Sequence, residues 1–325
     1  MKAAIYEGTG GPDVIHIREV DAPVARAGEV LIDVVAAGLN RADVQQRLGL
    51  YPPPLGASDI PGLEVSGRIG TVGEGVTGFS IGDEVCALLT GGGYAERVVV
   101  PAGQVLVLPP GVDLVAAAAL PEAAATVYSN LFLTAGVKQG ESVLIHGASG
   151  GIGTMAVQLV RAFGAKLIVT AGSQGKLEAA RLLGAEVLIN YREENFVDRV
   201  REGTEGRGAD VILDVVGAKY LQPNLDALAT GGRLVVIGLI GGAKAEIDLR
   251  QLMTKRATIF ATTLRARPAE ERAAIMSAVA EHVWPLIAAG SVSAQVHRTF
   301  PLREAAKAHE YFDSGDHVGK ILLTI

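Results

Sequence analysis

Between residues 142 and 263 short aliphatic runs alternate with helical segments, and no other feature of the chain restricts its fold as much. Ser142-Val-Leu-Ile-His precedes a helical pattern from about Gly151 to Phe163, and Lys166-Leu-Ile-Val-Thr precedes another from about Lys176 to Leu183. Val187-Leu-Ile-Asn, Val211-Ile-Leu-Asp-Val-Val, Gly232-Arg-Leu-Val-Val-Ile-Gly and Thr258-Ile-Phe-Ala-Thr-Thr continue the series. Strands of near-continuous aliphatics have no face to offer water. They imply a parallel sheet with helices on both sides, a doubly wound α/β domain.

Residues 1–110 read differently. Val30-Leu-Ile-Asp-Val-Val-Ala-Ala is a strand ending at Gly38, and apolar runs at 65–72, 84–89, 94–100 and 105–108 follow. Gly and Pro punctuate them as in a β-barrel or folded sheet. One helix interrupts, from Asn40 to about Leu48, with Ala42, Val44 and Leu48 spaced for one buried face. The apolar stretch Leu114 to Val137 contains Pro121, Glu122, Ser129 and Asn130. A membrane span needs about 18 uninterrupted apolar residues, so this stretch reads as buried helix. After a helix near 269–289 the tail returns to extended runs at Gln295–Phe300 and Lys320-Ile-Leu-Leu-Thr-Ile. A single core stops growing at roughly 250–300 residues. The 325 residues therefore read as a discontinuous β domain, 1–121 plus 264–325, with a dinucleotide domain, 122–263, inserted in it. Met1-Lys-Ala-Ala-Ile-Tyr-Glu lacks the apolar core of a signal peptide, and no repeat is present.

His146-Gly-Ala-Ser-Gly-Gly-Ile-Gly153 joins the first aliphatic strand to the first helix. It is a variant of G-x-G-x-x-G with Ala148 at the first glycine position. Small residues let the backbone approach a pyrophosphate, Gly153 lets helix and strand pack closely, and the helix start presents free N–H groups with a positive dipole. The strand–loop–helix context makes Ala148, Ser149, Gly150, Gly151, Ile152 and Gly153 a dinucleotide cradle. NAD sites carry an acid about 20 residues on, at the end of the second strand. Here that strand runs into Thr170-Ala-Gly-Ser-Gln-Gly-Lys176, with no acid before Glu178. Ser173, Lys176 and, after the third strand, Tyr191 suit a 2′-phosphate, which points to NADPH.

The 41 glycines, roughly twice the usual share, have no G-X-Y period, which excludes collagen and leaves tight turns and close approaches as their use. A net charge of −6 disfavours sequence-independent nucleic-acid binding. The single cysteine, Cys86, rules out an internal disulfide and a Cys-rich zinc site and fits a reducing cytoplasm. The six histidines, at 16, 146, 282, 297, 309 and 317, form no i, i+4 pair for a metal.

Gly38-Leu-Asn-Arg-Ala-Asp43, Pro61-Gly-Leu-Glu-Val-Ser-Gly67, Gly82-Asp83, Gly147–Gly153, the strand end Leu213–Gly217 and Gly319-Lys-Ile-Leu-Leu together resemble the medium-chain dehydrogenase/reductase superfamily. The resemblance is to its zeta-crystallin-like quinone oxidoreductases and extends over essentially the whole chain. Tyr51-Pro-Pro-Pro and Ala171-Gly-Ser-Gln resemble an NADPH-preferring branch. The resemblance implies a GroES-like, barrel-type β domain with an inserted Rossmann domain. It also implies further cofactor contacts at Gly172, Gly217, Gly238, Leu239, Thr262, Thr263 and Lys320. Zinc alcohol dehydrogenases carry a cysteine where this chain has Asn40, a histidine where it has Leu63, and a four-cysteine lobe that is missing here. No zinc is expected, and Glu64, the remaining acid of that motif, is expected to be structural.

Without a Lewis acid, alcohol oxidation is disfavoured. The resemblance implies hydride transfer to electron-poor acceptors, chiefly quinones, with Asn40 as a hydrogen-bond donor, Tyr51 as a proton or hydrogen-bond donor, and Thr126 on the nicotinamide side. Tyr51 alternatively serves only to pack on the cofactor, since a phenol needs a lowered pKa to be an efficient acid. Leu264-Arg-Ala-Arg267 either lines the substrate mouth or forms a solvated basic turn. Two other functions compete: reduction of enoyl thioesters or enones, and a non-catalytic NADPH-binding or RNA-binding role. The resemblance implies a homodimer joined through edge strands around Gly238–Leu249 and Thr258–Thr263.

Overall fold

The computed structural model describes all 325 residues, which form two compact units: residues 1–125 with 264–325, and residues 126–263.

Unit 2 is a six-stranded parallel sheet. In spatial order its strands are Val187–Asn190, Lys166–Ala171, Ser142–His146, Ala209–Asp214, Leu228–Val236 and Thr258–Ala261. The chain thus starts in the middle, builds outward to one edge, returns, and builds to the other, as in a Rossmann domain. The direction reverses between Ser142–His146 and Ala209–Asp214, and ligands of such sheets bind beyond the carboxyl ends of the strands at that point. The central strands are aliphatic throughout because both faces are covered: Leu144, Ile168, Ile189, Ile212 and Leu234 form one core layer with Phe196, Val200 and Leu225. The helices Phe196–Gly203, Leu221–Ala227 and Leu249–Lys255 complete the crossovers.

Unit 1 is a seven-stranded, mostly antiparallel sheet with a separate hairpin, Lys2–Tyr6 with Ile15–Glu19. Its organiser is the ten-residue strand Glu29–Gly38, which pairs with Glu64–Val72, with Arg97–Pro101 and, at its end, with Lys320–Thr324. A strand shared among three partners bends the sheet into a barrel-like shell, which encloses Ile32, Ile69, Val85, Val100, Ile321 and Leu323. The expected mixture of a GroES-like β domain and a Rossmann domain is the observed fold class.

Three local expectations change. The Asn40 helix runs Arg41–Arg47 and buries Val44, but Leu48 lies beyond its end and is 41% exposed. The Leu114–Val137 stretch is broken into Ala116–Ala119, Pro121–Val127 and a π-helical turn, Tyr128–Thr134, because Pro121 cannot continue a preceding helix. The 269–289 helix divides into Ala269–His282 and Trp284–Ala288, since Pro285 lacks the N–H that would bridge them. No helix is long and apolar enough to cross a membrane.

Candidate active site

In unit 2 the segment Gly147–Gly153 leaves the carboxyl end of Ser142–His146 at the point of strand reversal. Gly147 adopts φ 71°, and the helix Gly151–Ala162 begins after Gly150. Its first intrahelical bond runs from the Thr154 N–H to the Gly150 carbonyl, so the Gly151, Ile152 and Gly153 amides are the free donors of a helix start, while the Ala148 and Gly150 amides donate to the Thr170 and Gly147 carbonyls. A Cβ on Gly153 would run into the Gly147 carbonyl and come within 2.6 Å of the Ala148 backbone, so only glycine seats this helix against its strand. A Cβ on Gly150 would meet nothing closer than 3.8 Å, so that side of the loop is open. These residues fit a dinucleotide pyrophosphate.

Beneath the loop His146 is fully enclosed, with Nδ1 2.9 Å from Thr170 Oγ1 and Nε2 2.8 Å from Asn224 Oδ1. The amide oxygen of Asn224 only accepts, so Nε2 carries a proton. Burial pushes its pKa down to about 4. At the next strand end Asp214 is buried and accepts from the Val216 and Gly217 N–H groups at 2.6 and 3.0 Å, which shapes the turn to Gly217 (φ 80°). Burial holds its pKa up at about 6 against those two bonds. A Cβ on Gly238 would lie 2.7 Å from the Val215 carbonyl, so the two turns touch through backbone.

The 2′-phosphate candidates also sit together. Ser173 precedes the helix Gln174–Leu183, is exposed, and makes no capping bond with its hydroxyl. A Cβ on Gly172 would lie 2.5 Å from Tyr191 Oη and 3.2 Å from Arg192 Nε. The arginine adds a second cation beside Ser173 and Lys176. Thr262 is less available, because its hydroxyl donates to Asn130 Oδ1 at 2.5 Å. Leu239 and Thr263 are exposed, and Thr126 is buried with its carbonyl taken by Ser129 and Asn130.

In unit 1 Asn40 begins a helix whose Asp43 accepts from the Asn40 N–H at 2.8 Å. Asp43 is fully buried, and burial pushes its pKa up to about 6 despite hydrogen bonds from Asn40, Tyr94 and Gly62 and the positive charge of Lys320. The side chain of Asn40 is locked. Its amide donates to Glu64 Oε1 at 3.0 Å and to the Gly38 carbonyl at 3.3 Å, and its oxygen accepts from Lys320 Nζ at 2.7 Å. Lys320 donates also to the Leu39 carbonyl at 2.8 Å and pairs with Glu64 at 2.5 Å. Glu64 completes its set with the Glu122 N–H at 2.9 Å. Gly38 leaves the space for this carboxylate, since a Cβ there would collide with it.

Two expected site residues lie in this cluster. Lys320 has its ammonium buried in unit 1 with all three protons engaged. Asn40 has no amide hydrogen left for an acceptor oxygen and holds the helix start instead.

Tyr51 keeps its hydroxyl without a hydrogen bond to the protein. Burial and the nearby Glu122 raise its pKa, with Arg265, whose guanidinium carbon lies 5.7 Å from the ring centroid, acting the other way. A raised pKa makes the phenol a hydrogen-bond donor rather than an efficient acid.

Residues 26–110 match the family model described as an alcohol dehydrogenase GroES-like domain, and residues 151–281 match that of the zinc-binding dehydrogenases. The rat quinone oxidoreductase is 35% identical over 331 residues, covering 100% of this chain and 98% of that protein. The chain belongs to the quinone oxidoreductases of the medium-chain dehydrogenase/reductase superfamily. Its fold superimposes on the crystal structure of the Escherichia coli quinone oxidoreductase complexed with NADPH with a TM-score of 0.88, at 32% identity and full coverage of both chains. The CurK enoyl reductase structure follows at 0.87 and 29% identity, covering 99% of this chain and 98% of that one.

Among medium-chain dehydrogenases the zinc-binding members place a cysteine and a histidine where this quinone oxidoreductase has Asn40 and the buried, apolar Leu63. Lys320 already supplies a cation to Glu64 there, and no group of three or more His, Cys, Asp or Glu side chains that could hold a metal exists in the structure. Sequence reading missed Asp214, Arg192 and Arg265. An acid closing an aliphatic strand was the available signal for Asp214, and a basic residue directly after Tyr191 for Arg192. Arg265 was visible only as part of an undecided basic turn.

Proposed function

We propose that this chain reduces quinones with NADPH by direct hydride transfer and without a metal. The observation that carries the reading is the open Gly147–Gly153 loop at the strand reversal of unit 2, followed by Ser173, Lys176, Tyr191 and Arg192 where an NAD site would hold an acid. The loop from Ala148 to Gly153 holds the pyrophosphate, chiefly through the free Gly151, Ile152 and Gly153 amides, and those four side chains with Gly172 surround the 2′-phosphate. Gly217, Gly238 and Leu239 form the touching turns beyond the next strands, and Thr126, Thr262 and Thr263 complete the nucleotide side. Bound NADPH supplies the hydride. Tyr51 donates a hydrogen bond to the oxygen on which charge develops, and Asn40 keeps its helix start fixed through Lys320 and Glu64.

Quinones accept hydride readily, so a donor of ordinary strength suffices. NADPH oxidation against a panel of quinones, enones and enoyl-CoAs tests the reading, and Tyr51→Phe should lower kcat with a good quinone by about 3- to 30-fold. Wild-type kcat in Tyr51→Phe with a raised KM for NADPH in Tyr51→Ala would assign Tyr51 to cofactor packing. The likeness to an enoyl reductase favours enoyl thioesters as the second reading, which the same panel separates.

We also propose a cytoplasmic homodimer. The strand Thr258–Ala261 is an unpaired sheet edge within the chain, and Ile240, Leu249 and Met253 near it are 67%, 64% and 78% exposed. Unpaired edges with apolar neighbours are otherwise aggregation-prone. Sedimentation should give twice the chain mass, and a charge placed at Met253 should shift it toward monomer.

A further inference from the structure

Unit 1 contains four buried cations, Arg47, Arg265, Arg272 and Lys320, whose surroundings differ. Arg47 pairs with Asp313, and Arg272 donates to Gln104 Oε1 and to the Arg265 and Arg267 carbonyls. Lys320 is paired with Glu64 and has every proton engaged. Arg265 is 3% exposed and has no carboxylate partner. Its Nε donates to the Thr90 carbonyl at 2.7 Å and its Nη2 to Gln46 Oε1 at 2.8 Å, both neutral acceptors. Its Nη1 is enclosed and has no hydrogen-bond partner. The carboxylates that act on it, Asp43 and Glu122, do so through space without touching it. Over the guanidinium lies the ring of Tyr51, the half-buried residue placed at the reacting end of the acceptor.

A buried guanidinium without a bonded counter-ion is costly. Arg272 offsets that cost with neutral acceptors, whereas Arg265 keeps one enclosed nitrogen idle. A quinone or ketone oxygen would satisfy the idle N–H but leave the charge uncompensated. A carboxylate does both and takes two parallel hydrogen bonds from a guanidinium. We propose that Arg265 is a carboxylate-binding residue of the acceptor site, so that the preferred acceptors of this reductase carry a carboxylate besides their reducible group. The Tyr51 ring is the cover that such an acceptor displaces. Gln46, which is itself fixed by donating to the Asp59 carbonyl at 3.1 Å, and Thr90 set the orientation of the fork. The carboxylate is a handle and is not consumed.

This inference rests on the reductase reading for its kinetic arm but not for its binding arm. The binding arm titrates benzoate and its neutral isostere benzamide into the full-length protein by calorimetry, with and without NADPH. Benzoate should bind at least tenfold more tightly than benzamide, and Arg265→Met should abolish that difference while Arg265→Lys keeps part of it. The kinetic arm compares 3-benzoylacrylate with its methyl ester. The acid should show a KM at least tenfold lower than the ester in the wild-type enzyme, and Arg265→Met should abolish that preference of acid over ester. If Arg265→Met does not fold, the wild-type pairs decide alone. Equal binding of benzoate and benzamide, together with equal KM for acid and ester, overturns the proposal while leaving quinone reduction intact. A protein that binds benzoate selectively through Arg265 but oxidises NADPH with no quinone or enone keeps the anion site and overturns the reductase reading.

Discussion

At the Gly147–Gly153 loop of unit 2, backbone amides at a helix start are left to a ligand; in the Asn40–Glu64–Lys320 cluster of unit 1, every amide and ammonium proton has an acceptor inside the protein. Both regions concentrate polar groups at the end of a strand, and both use a glycine to clear space. The first remains open because backbone donors at a helix start can wait in water at little cost. The second has to be closed, because a carboxylate and an ammonium removed from water are tolerated only as a saturated set. Substitutions in the loop should therefore change binding first, and substitutions in the cluster should change stability first.

The sharpest test of that division is Lys320→Met. It strands the Glu64 carboxylate in the interior and should destabilise unit 1 by about 3–5 kcal/mol, whereas adding Glu64→Leu should recover most of the loss. The only tryptophan, Trp284, lies in unit 1, so its fluorescence during urea unfolding reads that unit directly. A loss below about 1 kcal/mol would show that the ion pair is not what holds the cluster, contrary to the usual weight of a buried pair.

On the open side, Lys176→Ala should weaken NADPH by about 1.5–3 kcal/mol, the range for a charge-assisted contact, and leave NADH nearly unchanged. Titration of both cofactors is the check, and equal losses would mean that Lys176 acts on stability. Gly153→Ala should destabilise unit 2 by about 1–3 kcal/mol through overpacking and weaken both cofactors together. The Trp284 transition should stay where it is; its movement would contradict the separation of the two regions.

The smallest effect concerns pH. His146 has its folded pKa pushed down to about 4 from an ordinary 6.5, so the folded state resists its protonation. The stability tied to the neutral ring is complete above pH 6.5 and is lost progressively as pH falls toward 4. Asp214, held up near 6, works in the opposite sense in the same unit. The wild-type curve is therefore shallow, and the difference between wild type and His146→Gln isolates the histidine. That difference should move in favour of the variant as pH falls from 6.5 to 4, and a constant difference across this range would refute the assignment.

The two regions were also unequally legible. The loop is local: strand, small residues and helix are contiguous, so Gly147–Gly153 announced both its shape and its ligand, and Ser173 and Lys176 followed at a fixed distance along the next strand. The cluster joins residues 24 and 280 positions apart. Nothing near Lys320 in sequence shows that it closes on Asn40, so its ion pair with Glu64 was not legible there. Asn40 stood out in the sequence, but its hydrogen-bonding capacity depends on partners that only the folded sheet supplies. The amphipathic count that put Leu48 in the core failed for another reason: periodicity describes a helix that continues, and this one ends at Arg47.

The pairing of Lys320–Thr324 with Glu29–Gly38 has a consequence for the order in which the molecule is made. Unit 2 is one continuous stretch and has all its strands once residue 263 has been translated. Unit 1 has to wait until residues 320–324 emerge, and until then Glu64 has no ammonium beside it and Glu29–Gly38 has an unpaired end. A ribosome paused between these two points carries a finished nucleotide-binding half attached to an unfinished shell. During synthesis the nascent chain should accordingly acquire NADPH affinity before its first 125 residues become resistant to protease, a reversal of the amino-to-carboxyl order in which domains usually mature.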